Sequence, residues 1–339
     1  MILLGNLFVI DMEIKMKPLF KSSLVVLAIC ISSTISAETR WNMATPYVDA
    51  THHTQNIKQF SSDVKEATKG ELTIQVHSGG SLIKHKEIAR AVRSRQVQMG
   101  EIFAGTLGNE DPIFKLDNLP FLATDFVQAK KLYDVTKASM QAKLDKDGMI
   151  LLYSVPWPPQ GIYSKESVNT IDDLKGTKMR AYSPMLSRLS VLLDANPTTV
   201  QTVEIPQAFS TGIIDVMITS PTTGISSQAW DYVKHYTDVQ AWIPKNIVIV
   251  NKREFSRLDK VTQTALLAVG AKAEARGWEM AERETIEKTK QLSEMGMIVQ
   301  QPSKELMDAF KAVGDTLTAE WKKEAGEKGE AILVEYHKL

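Results

Sequence analysis

Hydrophobic and polar positions switch between two periods along most of this chain. Trp41-Asn42-Met43-Ala44 reads as a short strand, Leu72-Thr73-Ile74-Gln75-Val76 alternates as a second, and 99–104 forms a third. Between the first two, residues 54–69 place Ile57, Phe60, Val64 and Ala67 on one helical face, and Gly70 stops the helix. Ser78-Gly79-Gly80-Ser81 is a predicted turn, and 86–95 a helix. Residues 126–146 are predicted helical, and 149–155 form a buried strand ending in Pro156-Trp157-Pro158-Pro159. Strands alternating with helices imply an α/β protein whose parallel sheets are covered on both faces.

The segment 171–224 carries the sharpest pattern. Lys178-Met179-Arg180-Ala181 is a predicted strand, followed by a helix with Leu186, Leu189, Val191, Leu192 and Leu193 spaced for burial on one side. Asn196-Pro197 marks a turn. A second apolar run, 213–218, ends in Thr219-Ser220-Pro221. Both strands finish at loops, where open α/β sheets bind ligands. Further on, Ser256-x-x-Asp259 resembles a helix cap. The proline-free residues after it span about 60 Å if helical. Such a helix either bridges two lobes or breaks near Gly270 or Gly277.

Composition narrows the classes of function. The 339 residues fit about two domains, and 43% hydrophobic residues fill a sizeable core. Basic and acidic residues are balanced at 40 each, so a nucleic-acid partner is not expected. Lys15, Lys17 and Lys21 precede an apolar stretch, 24–35, and Ile35-Ser36-Ala37 provides a cleavage site. Residues 1–37 are therefore read as an export signal with an upstream extension, which implies a periplasmic protein. Cys30, the only cysteine, falls within that signal, and Leu27-Ala28-Ile29-Cys30 lacks the small residue a lipid anchor needs.

A search for chemistry is mostly negative. The six histidines show no metal spacing, and adjacent His52-His53 suit surface or capping roles near a helix start. No nucleophile elbow, dinucleotide fingerprint or phosphate loop occurs. No cofactor, no metal and no catalytic residue are expected.

Gly176-x-Lys178-x-Arg180, Ala195-Asn196-Pro197, Glu204 and Gly212-Ile213-Ile214-Asp215 resemble the solute-binding component of tripartite ATP-independent periplasmic (TRAP) transporters. Trp321 with Gly326-Glu327-Lys328-Gly329-Glu330 extends the likeness over nearly the whole chain after the signal. The resemblance implies a two-lobed α/β binding protein with a hinge and a long helix across both lobes. It implies that Arg180 holds a ligand carboxylate, a task its rigid fork of donors suits; without the resemblance, an ordinary ion pair is the commoner role of an arginine. It also implies a membrane permease as partner.

Several positions depart from the sialic-acid and dicarboxylate members of that family. Gln160 stands where many have a second arginine, and Thr219 where an asparagine is usual. His85 and Phe103 replace two acidic positions. A ligand with one carboxylate and a body less polar than a sugar acid is expected, such as an aromatic or a hydroxy or keto acid. Trp157, Trp242, Tyr47 and Phe103 are candidates to stack on it, although each alone is more often a packing aromatic. Gln160 and Thr219 would orient the bound acid.

The lobes are expected at 38–157 with 246–285, and at 158–245 with 286–339. Two rivals to a transport receptor remain: a secreted α/β enzyme acting on an organic acid, with Glu204 as its only acidic candidate, and a binding protein that reports to a sensory receptor. Glu204 is expected to bond backbone at a helix start.

Overall fold

The computed structural model describes residues 38–339; the expected export signal and Cys30 lie outside the described residues. The chain begins β1 (Thr39–Ala44), α1 (His52–Ala67), β2 (Leu72–His77), α2 (His85–Arg93) and β3 (Met99–Phe103). Two 3-10 turns, Ala104–Leu107 and Pro112–Asn118, lead to α3 (Phe126–Lys146) and β4 (Met149–Pro156). The next elements are β5 (Gly161–Ser164), β6 (Lys178–Ala181), α4 (Pro184–Leu192), β7 (Asn196–Thr199) and α5 (Ile205–Ser210). Then come β8 (Val216–Thr219), α6 (Pro221–Ser226), β9 (His235–Thr237), β10 (Lys245–Asn251) and α7 (Lys252–Arg257). The chain closes with α8 (Lys260–Glu294), β11 (Ile298–Gln300) and α9 (Lys304–Lys338).

Two mixed sheets form, ordered β2-β1-β3-β10-β4 and β11-β9-β5-β8-β6-β7. The expectation of wholly parallel sheets needs correction: β10 runs antiparallel to β3 and β4, and β5 to β8 and β9. The reason is topological. Strands β3, β6 and β8 end at the space between the sheets, whereas β5 and β10 begin there, because the chain enters each sheet from the other through the short links 157–160 and 238–244. Register puts Gly161 opposite Thr219 and Asn246 opposite Phe103, so entering and leaving strands meet at one level.

Helix α8 settles the question left open at Gly270 and Gly277. It is continuous for 35 residues, about 52 Å at 1.5 Å per residue. Its Leu266, Val269 and Ala273 join a core with Trp41, Phe60 and Tyr153 of the first sheet's side. Its Leu292 joins another with Tyr163, Phe209 and Met217 of the second. The glycines are points of close approach: a Cβ on Gly277 would lie 2.4 Å from Val155 Cγ2, and one on Gly270 3.0 Å from Leu152 Cγ. Packing against β4 thus offsets glycine's poor helix propensity. Asp259 alone caps α8, accepting from the Val261 and Thr262 amides, while the Ser256 hydroxyl donates to Lys252 O within α7.

Other expectations shift in detail. Asn196-Pro197 opens β7 rather than forming a turn; the reversal falls at Asp194, whose φ is 52°. Proline is tolerated because β7 is an edge strand. Val191 is 48% exposed, since it lies about 200° around α4 from Leu189. Ile213 is likewise exposed and precedes β8. His52 and His53 are fully buried rather than on the surface, at the start of α1. Helix α9, kinked at Gly326, touches both sides: Arg188 of α4 pairs with Glu320, while Trp321 Nε1 donates to Pro112 O and Tyr336 OH to Leu122 O.

Candidate binding site between the sheets

The motif residues in the 176–215 region are mostly scaffolding. Asn196 Nδ2 donates to Gly176 O at 3.0 Å, which joins the turn before β6 to the start of β7. Lys178 and Asp215 are joined twice: Lys178 N donates to the Asp215 carboxylate Oδ2 at 3.1 Å, and Asp215 N to Lys178 O at 2.8 Å. Lys178 Nζ reaches Gly212 O at 2.7 Å. These contacts set β6 beside β8, with Arg180 paired to Met217. Glu204 Oε2 accepts from Gln201 N at 2.8 Å, the capping role expected of it.

Arg180 is 2% exposed. Its Nε donates to Val200 O at 3.0 Å, one Nη lies 3.4 Å from Thr202 Oγ1, and the guanidinium sits 4.7 Å from the Tyr182 ring centre. Among the described residues, no carboxylate lies within 4.0 Å of it. Burial pushes its pKa below the ordinary arginine value, with nearby Tyr182 opposing the fall. A buried cation without a counter-ion is costly, so this arrangement favours an anion brought from outside.

The space in front of Arg180 is a cavity. It is lined by Tyr47, His85, Phe103, Trp157, Gln160, Arg180, and also by Tyr182, Thr202, Thr219, Thr223 and Pro244. Seven of the eight expected positions therefore meet around one cavity. Trp242 does not. Its ring is fully buried in the main core, and only its backbone takes part, accepting from Gln160 N at 3.1 Å. The strand-end argument located its backbone but not its rotamer.

The two sides of the cavity differ in chemistry. On the second sheet's side, Gln160 Oε1 accepts from Tyr182 OH at 3.1 Å and its Nε2 donates to Pro158 O at 2.7 Å. Thr219, at the end of β8, is 4% exposed and lines the cavity. On the first sheet's side, Tyr47, Phe103 and Trp157 form a small apolar cluster with Tyr182 against it. His85 Nε2 accepts from Phe103 N at 3.1 Å, which requires an unprotonated Nε2 and places the proton of the neutral ring on Nδ1. Burial lowers its pKa to about 4, with Glu101 opposing and Arg180 reinforcing the fall.

Sequence patterns did not single out Tyr182, Thr202, Thr223 or Pro244. Tyr182 stands two residues beyond Arg180, just past the strand end, the position the loop argument should have flagged. Thr202 and Thr223 approach through short turns whose placement depends on β7 and β8 being packed first. Among the described residues, no group of three His, Cys, Asp or Glu is placed to hold a metal, and no helix is long and apolar enough to cross a membrane.

The model of one family, bacterial extracellular solute-binding protein family 7, matches residues 44–324. The chain belongs to that family. Solved structures of TRAP receptors share its two-lobed α/β fold and its long helix. DctP7 of Bordetella pertussis, an extracytoplasmic solute receptor binding pyroglutamic acid, is 48% identical, with a TM-score of 0.87 over 88% of this chain and 99% of its own. DctP6 of the same organism, also binding pyroglutamic acid, is 42% identical, with a TM-score of 0.87 over 89% and 100%. A pyroglutamate-specific TRAP receptor from a marine metagenome is 33% identical, with a TM-score of 0.88 over 89% and 99%. The family-7 chain described here is thus a solute receptor of the TRAP class.

Proposed function

We propose that this receptor binds a compact cyclic acid of the pyroglutamate type, carrying one carboxylate, and delivers it to a TRAP permease. The observation that carries the reading is Arg180, buried at the end of β6 and facing the cavity without an acidic partner among the described residues. The ligand's carboxylate supplies the missing charge. The cavity is walled by the Tyr47, Phe103, Trp157 and Tyr182 rings, and a mostly apolar lining with a few convergent polar groups suits a compact acid. Tyr47, Phe103 and Trp157 supply faces for that ring, and His85, Gln160 and Thr219 orient its polar edge. Relatives at 33–48% identity that bind pyroglutamate support the same class.

Ligand capture is read as hinge closure of 38–157 with 246–285 onto 158–245 with 286–339. Residues 1–37 would direct the chain to the periplasm. Chemistry on the ligand is not part of this reading.

Calorimetric and thermal-shift titration of residues 38–339 with L-pyroglutamate, its carboxamide, malate and an aromatic monocarboxylate tests it. Pyroglutamate at 100 times its dissociation constant should stabilise the protein by about 2.7 kcal/mol, the carboxamide should not, and the acid should be recovered unchanged. A response to malate or to the aromatic acid, with none to pyroglutamate, would sink the ligand assignment. Conversion of the bound acid would make the protein an enzyme instead.

A further inference from the structure

The aromatic side of the cavity rests on a residue that does not itself line it. Asn246, near the start of β10, is buried behind Tyr47 and Trp157. Its Oδ1 accepts from Trp157 Nε1 at 2.9 Å and from Tyr47 OH at 3.3 Å, and its Nδ2 donates to Glu101 Oε1 at 2.9 Å. An indole N–H only donates and a carboxylate only accepts, so chemistry fixes which end of the amide is which. Glu101, 1% exposed, also takes the Thr45 hydroxyl on Oε2. Burial raises its pKa, but the nearby His53 and the bonds from Thr45 and Asn246 outweigh that, so the carboxyl stays below its ordinary range. His53 Nδ1 stands 3.1 Å from Glu101 Oε1, although out of line for a good hydrogen bond. Burial and the Glu101 charge push the Tyr47 phenol pKa up, which keeps it a donor to Asn246.

We propose that Asn246 sets the ligand class of this cavity: by holding the polar ends of Tyr47 and Trp157 on one oxygen, it leaves the ligand an apolar aromatic wall. Such a wall accepts a compact ring. It penalises a polyhydroxylated acid, whose hydroxyl groups facing the Tyr47 and Trp157 rings would lose water and find no partner there. Asn246 is a positioning residue, acting through two side chains that line the site. The inference rests on the reading of the chain as a receptor for pyroglutamate-type acids.

The test compares wild type, Asn246→Asp and the double variant Asn246→Asp with Glu101→Gln. Each is titrated with L-pyroglutamate and D-glucuronate at pH 8 and pH 5.5. In the single variant two carboxylates face each other where the amide–carboxylate bond was, and they repel unless they share a proton. Pyroglutamate affinity should fall roughly tenfold at pH 8, recover at pH 5.5, and discriminate less against glucuronate. In the double variant the introduced amide donates to the introduced carboxylate, which still accepts from Tyr47 and Trp157. Affinity and selectivity should return at both pH values. The indole N–H resonance of Trp157, assigned by its loss in Trp157→Phe, gives a ligand-free readout: it should move with pH in the single variant and not in the other two proteins.

A single variant with wild-type affinity and selectivity at pH 8, or a double variant no better than the single, would overturn the proposal. Should the single variant not fold, the double variant decides alone: wild-type selectivity supports the swapped pair, and a roughly tenfold loss overturns it. If wild type binds neither acid, the ligand reading has failed, and the indole resonance still decides whether Asn246 positions Trp157.

Discussion

The two sides of the cavity solve different problems. The second sheet contributes Arg180 from β6, the Thr219 hydroxyl from β8 and the Gln160–Tyr182 pair. Its dominant feature is a buried charge with no acidic neighbour among the described residues. The first sheet contributes Tyr47, Phe103 and Trp157, and the polar ends of Tyr47 and Trp157 are already engaged by Asn246. One side is unsatisfied until a ligand arrives, and the other is satisfied without it. Under the proposed function, the charged side would supply most of the affinity and the aromatic side shape and selectivity. Placing them on separate sheets means that neither alone forms the full site.

The largest expected effect breaks the charged side. Arg180→Ala should weaken binding of an acidic ligand by about 3–6 kcal/mol, the worth of two charge-assisted hydrogen bonds. The melting temperature of the free protein should move little, because relief of an unpaired buried cation offsets the lost bonds to Val200 and Thr202. Calorimetry beside a thermal melt separates the two quantities. Equal binding by wild type and variant would remove the distinction between the sides.

A smaller effect tests the aromatic side. The pKa values of His53 and His85 are lowered from 6.5 to about 4, by burial first in both cases, with the neighbouring His52 adding to the fall at His53. Between these values the unfolded chain binds more protons than the folded one, so stability is full above about pH 6.5 and falls as pH drops toward 4. The expected loss by pH 4.5 is on the order of 2 kcal/mol per histidine. Urea unfolding at pH 7.5 and 4.5 measures it, and His85→Asn should lose distinctly less stability than wild type across that interval. The same loss in both proteins would show that His85 is not held neutral by its surroundings.

The smallest effect sharpens the division within the charged side. Thr219→Val removes a hydroxyl at the cavity wall and should weaken ligand binding by about 1 kcal/mol, with little change in the free protein. An unaltered dissociation constant would assign Thr219 to packing rather than to the ligand.

Much of this architecture was legible in local pattern. The period-two and helical stretches located β1 to β4 and α1 to α3 to within a few residues, because their buried faces repeat at the spacing that the backbone imposes. Arg180 was legible at a strand end within a motif that the family resemblance marks, Gln160, Thr219 and His85 by comparison with positions of that family, and Phe103, Tyr47 and Trp157 by their proximity to strand ends or crossings. Strand direction was not legible. That β5 and β10 run against their neighbours follows from the chain crossing between sheets, a property of the whole path and of no single segment. Gly270 and Gly277 read locally as helix breakers and act as contact points, since only β4 lying against α8 gives the missing side chain a purpose. Trp242 shows the same limit, its backbone near the cavity and its ring in the core.

Residues and their spacing thus determined the identity of most early elements, the family resemblance and the place of Arg180 at a strand end, all of which depend on neighbours within a few positions along the chain. Tertiary structure decided that Arg180 has no acidic neighbour among the described residues, that Asn246 and Glu101, 145 residues apart, meet behind the aromatic wall, and that His52 and His53 are buried. Those facts concern which side chains converge in space. Convergence is set by the packing of two sheets and a helix that spans both, and no local pattern encodes it.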